Sequence, residues 1–122
     1  RRLIAAENNT TENDVERIVH HIINKKGEDI IVIDLRGISS VSDFFIIAMG
    51  TSNVHLKAIA DEVREKMKKE EGSVPWHVEG YDAQKWILLD YVNIVVHIFD
   101  QETRAYYLLE KLWKDAKIRR IE

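Results

Sequence analysis

Two groups of residues in this chain have types and spacing that could do chemistry. The first is Gly50-Thr51-Ser52, which follows an apolar run and precedes a helical pattern. A turn of this kind at a helix start can hold phosphate on its backbone N–H groups. Nucleotidyl transfer there would also need two carboxylates, a short way on, alternating along a strand so that both reach one divalent metal. The nearest carboxylates, Asp61 and Glu62, are adjacent within a helical pattern and point to different sides; no Asp-x-Asp occurs anywhere. Transferase activity is therefore not expected.

The second group is the five histidines. His20 and His21 are neighbours on a helical pattern and diverge, while His55, His77 and His97 fall on separate elements, so no metal set is expected. His97 can share a face with Asp90, and a His–Asp pair is the way a general base is oriented. A base needs a nucleophile or an activated water, and no residue here identifies one. A structural or binding role is expected for His97. The absence of cysteine removes thiol nucleophiles, disulfides and Cys-type zinc sites. The reading is a protein with no enzyme activity, no cofactor and no metal.

The elements that must position His97 and Asp90 lie between Trp86 and Trp113. Trp86, Leu88 and Asp90 alternate with Ile87 and Leu89, then Val95, His97 and Phe99 alternate with Ile94, Val96 and Ile98, which reads as a β-hairpin. A tight turn at Tyr91 and Val92 puts Leu88 opposite Val95 and Trp86 opposite His97. One face is then wholly aliphatic; the other mixes Trp86, Asp90, His97 and Phe99 with Leu88 and Val95. Aromatic residues among scattered polar groups are the composition of an interface centre. Asp100 is placed to cap a following helix, with Glu102 in its first turn. Ala105, Leu108, Leu109, Leu112, Trp113 and Ala116 form its apolar stripe, which is expected to lie on the hairpin's aliphatic face. Arg104, Tyr107, Lys111 and Lys114 occupy the other side, with Tyr106 and Glu110 at its margins.

The rest of the chain supplies an α/β frame. Residues 1–10 read as a loose or locally helical lead-in. A helix is expected from about Thr11, whose Thr11-x-x-Asp14 spacing is similar to a capping box; its stripe is Val15, Ile18, Val19, Ile22 and Ile23, and Gly27 stops it. Ile30 to Leu35 and Phe44 to Met49 read as buried strands. Ser52 caps a long helix with stripe Leu56, Ile59, Ala60, Val63 and Met67, ended by Gly72. Val74 to Glu79, with Pro75 near its start, reads as a further strand at an edge. One domain over residues 1–122 is expected, with a mixed sheet of about five strands. The long helix acts as a crossover that makes some strands parallel. The net charge of −3 argues against a protein that wraps nucleic acid and suits a basic protein partner. No apolar run reaches the length of a membrane span, which points to a cytoplasmic protein.

Trp86-x-x-x-Asp90-Tyr91, Val95-Val96-His97-Ile98-Phe99 and Arg104-x-x-Tyr107-x-Leu109-Glu110-x-Leu112-Trp113 resemble the signature of the ribosomal silencing factor (RsfS/Iojap) family. Asp43-Phe44-Phe45-Ile46-Ile47-Ala48-x-Gly50-Thr51-Ser52 and Glu79-Gly80 extend the resemblance, which covers the chain from roughly residue 30 onward. The resemblance implies a fold similar to the nucleotidyltransferase core. It also implies binding to the large ribosomal subunit through ribosomal protein uL-fourteen, which sterically blocks joining with the small subunit and represses translation. Carried onto this sequence, the expected partner-facing residues are Trp86, Asp90, His97, Tyr107 and Glu110, with Arg104 setting local orientation through an ion pair. A self-associating module is the alternative, using the same sheet face or the sheet edge near Val74 to make a homodimer. One departure is visible. The family usually has Gly-Asp between the hairpin strands, whereas this chain has Val92-Asn93, and valine resists the positive φ that glycine accepts. The turn is therefore expected to be longer or differently shaped.

Overall fold

The computed structural model describes the backbone of residues 2–107, 111 and 113–121, and the side chains of residues 11–104, 111 and 113–121. The elements run α1 (Arg2–Asn24), β1 (Glu28–Asp34), β2 (Phe44–Met49), α2 (Asn53–Glu71), β3 (His77–Glu79), β4 (Trp86–Asp90), β5 (Ile94–Phe99), α3 (Gln101–Tyr107) and β6 (Lys117–Arg120). The strands form one mixed sheet in the order β3-β4-β5-β2-β1-β6. Among the described residues only β2 and β5 pair in parallel, Phe44 beside Ile94 through Met49 beside Phe99, and α2 lies in the connection between them, as a crossover must.

Local chemistry explains most boundaries. Ser52 accepts a hydrogen bond at its hydroxyl from the His55 backbone N–H (3.1 Å) and starts α2. Gly72 ends it at φ 64, a left-handed cap whose N–H reaches the Lys68 carbonyl. The expected α2 stripe is buried throughout. It packs with Val15, Ile18, Val19 and Ile22 of α1 on the aliphatic face of the sheet, where Ile87, Leu89, Ile94, Val96 and Ile98 complete the main core. Glu71 and Glu70, at the end of α2, bind Arg17 (2.9 Å) and His21 (3.0 Å) of α1.

Five expectations need correction. First, α1 begins at Arg2, so Thr11 sits inside the helix rather than at its start; the good helix formers Leu3, Ala5, Ala6 and Glu7 carry it upstream. Ile23 leaves the stripe, being 48% exposed. Second, β3 is only three residues long and starts after Pro75, whose ring cannot donate to a ladder. Third, the sheet has six strands. Lys117–Arg120 pairs with β1, Ile118 opposite Ile33 and Arg120 opposite Ile31. Fourth, the aliphatic face is covered by α1 and α2. Trp113 and Ala116, which follow α3, pack on the opposite face against a second core of Ile31, Ile33, Leu35, Ile47 and Phe99.

The fifth concerns the hairpin register. Asp90 lies opposite Val95, Leu88 opposite His97 and Trp86 opposite Phe99. Each partner is displaced by two residues from expectation, so every side chain keeps its face. The turn explains the shift. Tyr91 N–H donates to the Ile94 carbonyl (2.8 Å) and Asn93 N–H to the Tyr91 carbonyl (3.0 Å), a three-residue turn centred on Val92. Val92 takes φ 76 after all, with its N–H held by Asp90 Oδ1 at 2.8 Å.

Candidate functional site

Alternation along β4 and β5 places Trp86, Leu88, Asp90, Val95, His97 and Phe99 on the face away from α1 and α2. The parallel pairing of β2 adds Phe45 beside them. Their rings form one cluster: Trp86 and Phe99 centroids lie 4.8 Å apart, Phe45 and His97 4.6 Å, and Phe45 and Trp113 6.0 Å in edge contact. His97 and Phe99 are nearly parallel, at 6°. Trp113 and Ala116 pack on the β1–β2 side of this face. On the β3–β4 side Trp86 and Leu88 remain half-buried and, with Glu79 and Gly80, line a shallow cleft of about 200 Å³.

His97 is the buried keystone of the cluster, only 4% exposed. The indole Nε1–H of Trp86 donates to His97 Nδ1 at 3.1 Å. An indole can only donate, so Nδ1 accepts and the imidazole proton sits on Nε2. That Nε2 is buried without a hydrogen-bond partner. Burial holds the His97 pKa down at about 4, so the ring is neutral at physiological pH. The pair of His97 and Asp90 does not form a base and its orienting carboxylate. His97 is committed to Trp86, and Asp90 Oδ1 to the turn at Val92.

Arg104 is also buried, at 8% exposure. Its Nη1 donates to the carbonyl of Asp29 at 2.7 Å. Asp29 sits at φ 47 in a bulge of β1. Arg104 thus ties α3, capped by Asp100 Oδ1 on the Thr103 N–H (2.7 Å), to the sheet. Of the expected site residues, the structure brings Trp86, Asp90 and His97 together and puts Arg104 beneath α3. Glu110 and the side chain of Tyr107 lie outside the described residues. Leu88 and Phe45 belong to the site although neither stands out by type. The alternation between Trp86 and Asp90 signals Leu88; Phe45 is revealed only by the β2–β5 pairing.

The phosphate-like turn is occupied by the chain itself. Thr51 N–H donates to His55 Nδ1 (2.9 Å), which leaves His55 Nε2–H to donate to the Lys25 carbonyl (2.6 Å). A Cβ on Gly50 would meet Leu56 Cδ1 at 2.7 Å, so glycine here serves close packing. Asp61 uses both oxygens, one for Lys57 (2.8 Å) and one for the Tyr81 hydroxyl (3.0 Å). Among the described residues no three His, Asp or Glu side chains come together as a metal set, and no helix is long and apolar enough to cross a membrane.

Residues 8–122 match the family described as "Ribosomal silencing factor during starvation". The ribosomal silencing factor RsfS of Halalkalibacterium halodurans is 42% identical over 98 residues, covering 80% of this chain and 83% of the relative. A mouse protein, "Mitochondrial assembly of ribosomal large subunit protein 1", is 34% identical over 102 residues, 82% of this chain and 45% of its own length. The crystal structure of a Chromobacterium violaceum protein superposes with a TM-score of 0.80 at 33% identity, over 84% of this chain and 85% of that one. The mixed six-stranded sheet with its aromatic face therefore belongs to a member of the ribosomal silencing factor family.

Proposed function

We propose that the chain represses translation by binding the large ribosomal subunit through ribosomal protein uL-fourteen and standing where the small subunit would join. No bond is made or broken in this mechanism; the binding free energy excludes a competitor. The observation that carries the reading is Trp86, a half-buried indole held by its hydrogen bond to buried His97 and by a tilted ring contact with Phe99. A rigid aromatic anchor loses little freedom on binding, which is why Trp dominates interface centres. Leu88 extends the apolar centre, and Asp90 with Glu79 supplies an acidic rim suited to a basic ribosomal protein. His97 and Arg104 are buried and act by shaping the patch. Tyr107 and Glu110, carried by the same family motif, are proposed as further contacts.

The test is co-sedimentation with purified large subunits, followed by addition of small subunits and a count of joined ribosomes. The expected result is pelleting with the large subunit and fewer joined particles. Trp86→Ala is expected to weaken binding by about 30-fold, the equivalent of roughly 2 kcal/mol for a central aromatic anchor. Failure to pellet at modest salt, or unreduced joining by a protein that does bind, would refute the proposal.

A further inference from the structure

Among the described residues four buried side-chain atoms have no hydrogen-bond partner, and two of them, Asp14 Oδ1 and the Tyr91 hydroxyl, belong to residues that line one cavity. A buried polar group left unpaired costs stability, so two beside one cavity point to something that joins them. The cavity measures about 50 Å³ and lies where α1, the end of α2 and the β4–β5 turn meet. Thr11, Ser73 and Asn93 complete the polar part of its wall, and the rest is apolar.

The two groups do not bond each other, and each is anchored by its own element. Asp14 rides on α1 next to Val15, which is buried in the main core. Tyr91 is held by the turn, its N–H donating to the Ile94 carbonyl and its carbonyl accepting from the Asn93 N–H. Their needs are complementary, because an ionised carboxylate only accepts hydrogen bonds and a phenol O–H needs an acceptor. Burial, and after it the Glu71 carboxylate, pushes the Asp14 pKa up, while Arg17 pulls it down; a donor to Asp14 is worth most in such surroundings. Size excludes a metabolite and admits water, which takes about 30 Å³ in the liquid. A cation would serve Asp14 but leave the Tyr91 proton without an acceptor. Water takes that proton and gives one of its own to the carboxylate.

We infer that this cavity is a binding site for water: one ordered molecule accepts the Tyr91 O–H, donates to Asp14 Oδ1 and ties α1 to the β4–β5 turn. Ser73 and Asn93, in the same wall, carry oxygens that can accept its second proton. The turn it holds is the one that carries Val92 at φ 76 and sets the hairpin register. The bound water is thereby part of the frame behind the aromatic face.

Tyr91→Phe in the full chain tests the inference by the sign of its effect. With the hydroxyl bridged by water, its loss breaks a satisfied network, and urea denaturation should show the unfolding equilibrium constant rising about tenfold. With the hydroxyl dry, phenylalanine removes a buried unpaired group and keeps the ring, so stability holds or rises, which overturns the inference. In an Asp14→Ala background the same exchange should cost at least about threefold less, because the water has already lost its other partner. Equal costs in both backgrounds overturn the link between the two groups. A crystal structure of the full chain should show a density peak about 2.5–3.0 Å from both oxygens. No peak there, or a direct hydrogen bond from Tyr91 to Asp14, overturns the inference. So does a stability that follows the choice of sodium, potassium or choline at fixed ionic strength, which would give the site to a cation.

Discussion

Replacing Val92 by glycine should make this protein more stable. Val92 stands at φ 76, where a Cβ crowds its own backbone and a β-branched side chain is least tolerated. Such a residue stores about 1–3 kcal/mol of strain, and glycine releases it. Two effects oppose the gain. Glycine raises the entropy of the unfolded chain, worth about 0.5–1 kcal/mol. The lost valine contacts are few, because the side chain is 57% exposed, and amount to roughly 0.5 kcal/mol. The balance is a gain of about 1 kcal/mol, or about 4 °C in Tm for a domain of this size. Urea denaturation followed by circular dichroism reads it directly, as a higher midpoint at unchanged slope. The decisive comparison is Val92→Ala, which loses the same contacts but keeps a Cβ at positive φ. Glycine should exceed alanine by about 1 kcal/mol. Alanine equal to or above glycine would refute the reasoning, since the strain would then not lie in the backbone angle.

Two further perturbations probe the site itself. His97 is held near a pKa of about 4 in the folded protein, against about 6.5 when unfolded; below pH 6.5 the unfolded chain takes up a proton that the folded one refuses, so stability falls with falling pH. The loss from this group is about 2 kcal/mol by pH 5; it should be seen in urea titrations at pH 7 and 5 and be absent in His97→Gln, and an equal loss in that variant would exclude His97 as the cause. Gly80→Ala must accommodate a Cβ at φ 92 and 2.0 Å from the Trp86 carbonyl oxygen, so it should lose about 3 kcal/mol and lower Tm by about 10 °C or more in a thermal melt; a shift of a degree or two would show that the β3–β4 connection yields freely.

Much of this architecture was legible because burial follows period. The bounds of β2, β4 and β5 and the whole stripe of α2 agree with the pattern of apolar residues, and the aliphatic face is the core face. Period says which face is buried and not what covers it, so the placing of Trp113 and Ala116 on that face failed: α1 and α2 cover it instead. β6 was missed because Lys117, Arg119 and Arg120 leave only Ile118 as a strand signal; its pairing is set by the open edge of β1. The hairpin register depended on one dihedral angle, that of Val92, where local propensity yields to the pairing of two strongly apolar strands. The site was half legible: residue types singled out Trp86 and His97, but the hydrogen bond between them and the burial of Arg104 need three dimensions.

The order of the sheet also governs when the protein can exist. Its central parallel pair joins β2 to β5, locked by Ser42 to the Asn93 carbonyl across 51 residues. Arg104 reaches Asp29 across 75, and Arg119 reaches Glu16 across 103. Few of these contacts can form until nearly the whole chain is available, and loop closure over such spans makes folding slow relative to a helical bundle of equal length. During synthesis the segment through β2 exposes two strongly apolar strands with no partner for their inner edge, a state suited to chaperones. The aromatic face is completed by Trp113 and Ala116, which are synthesised after the β1, β2 and β5 residues they pack against.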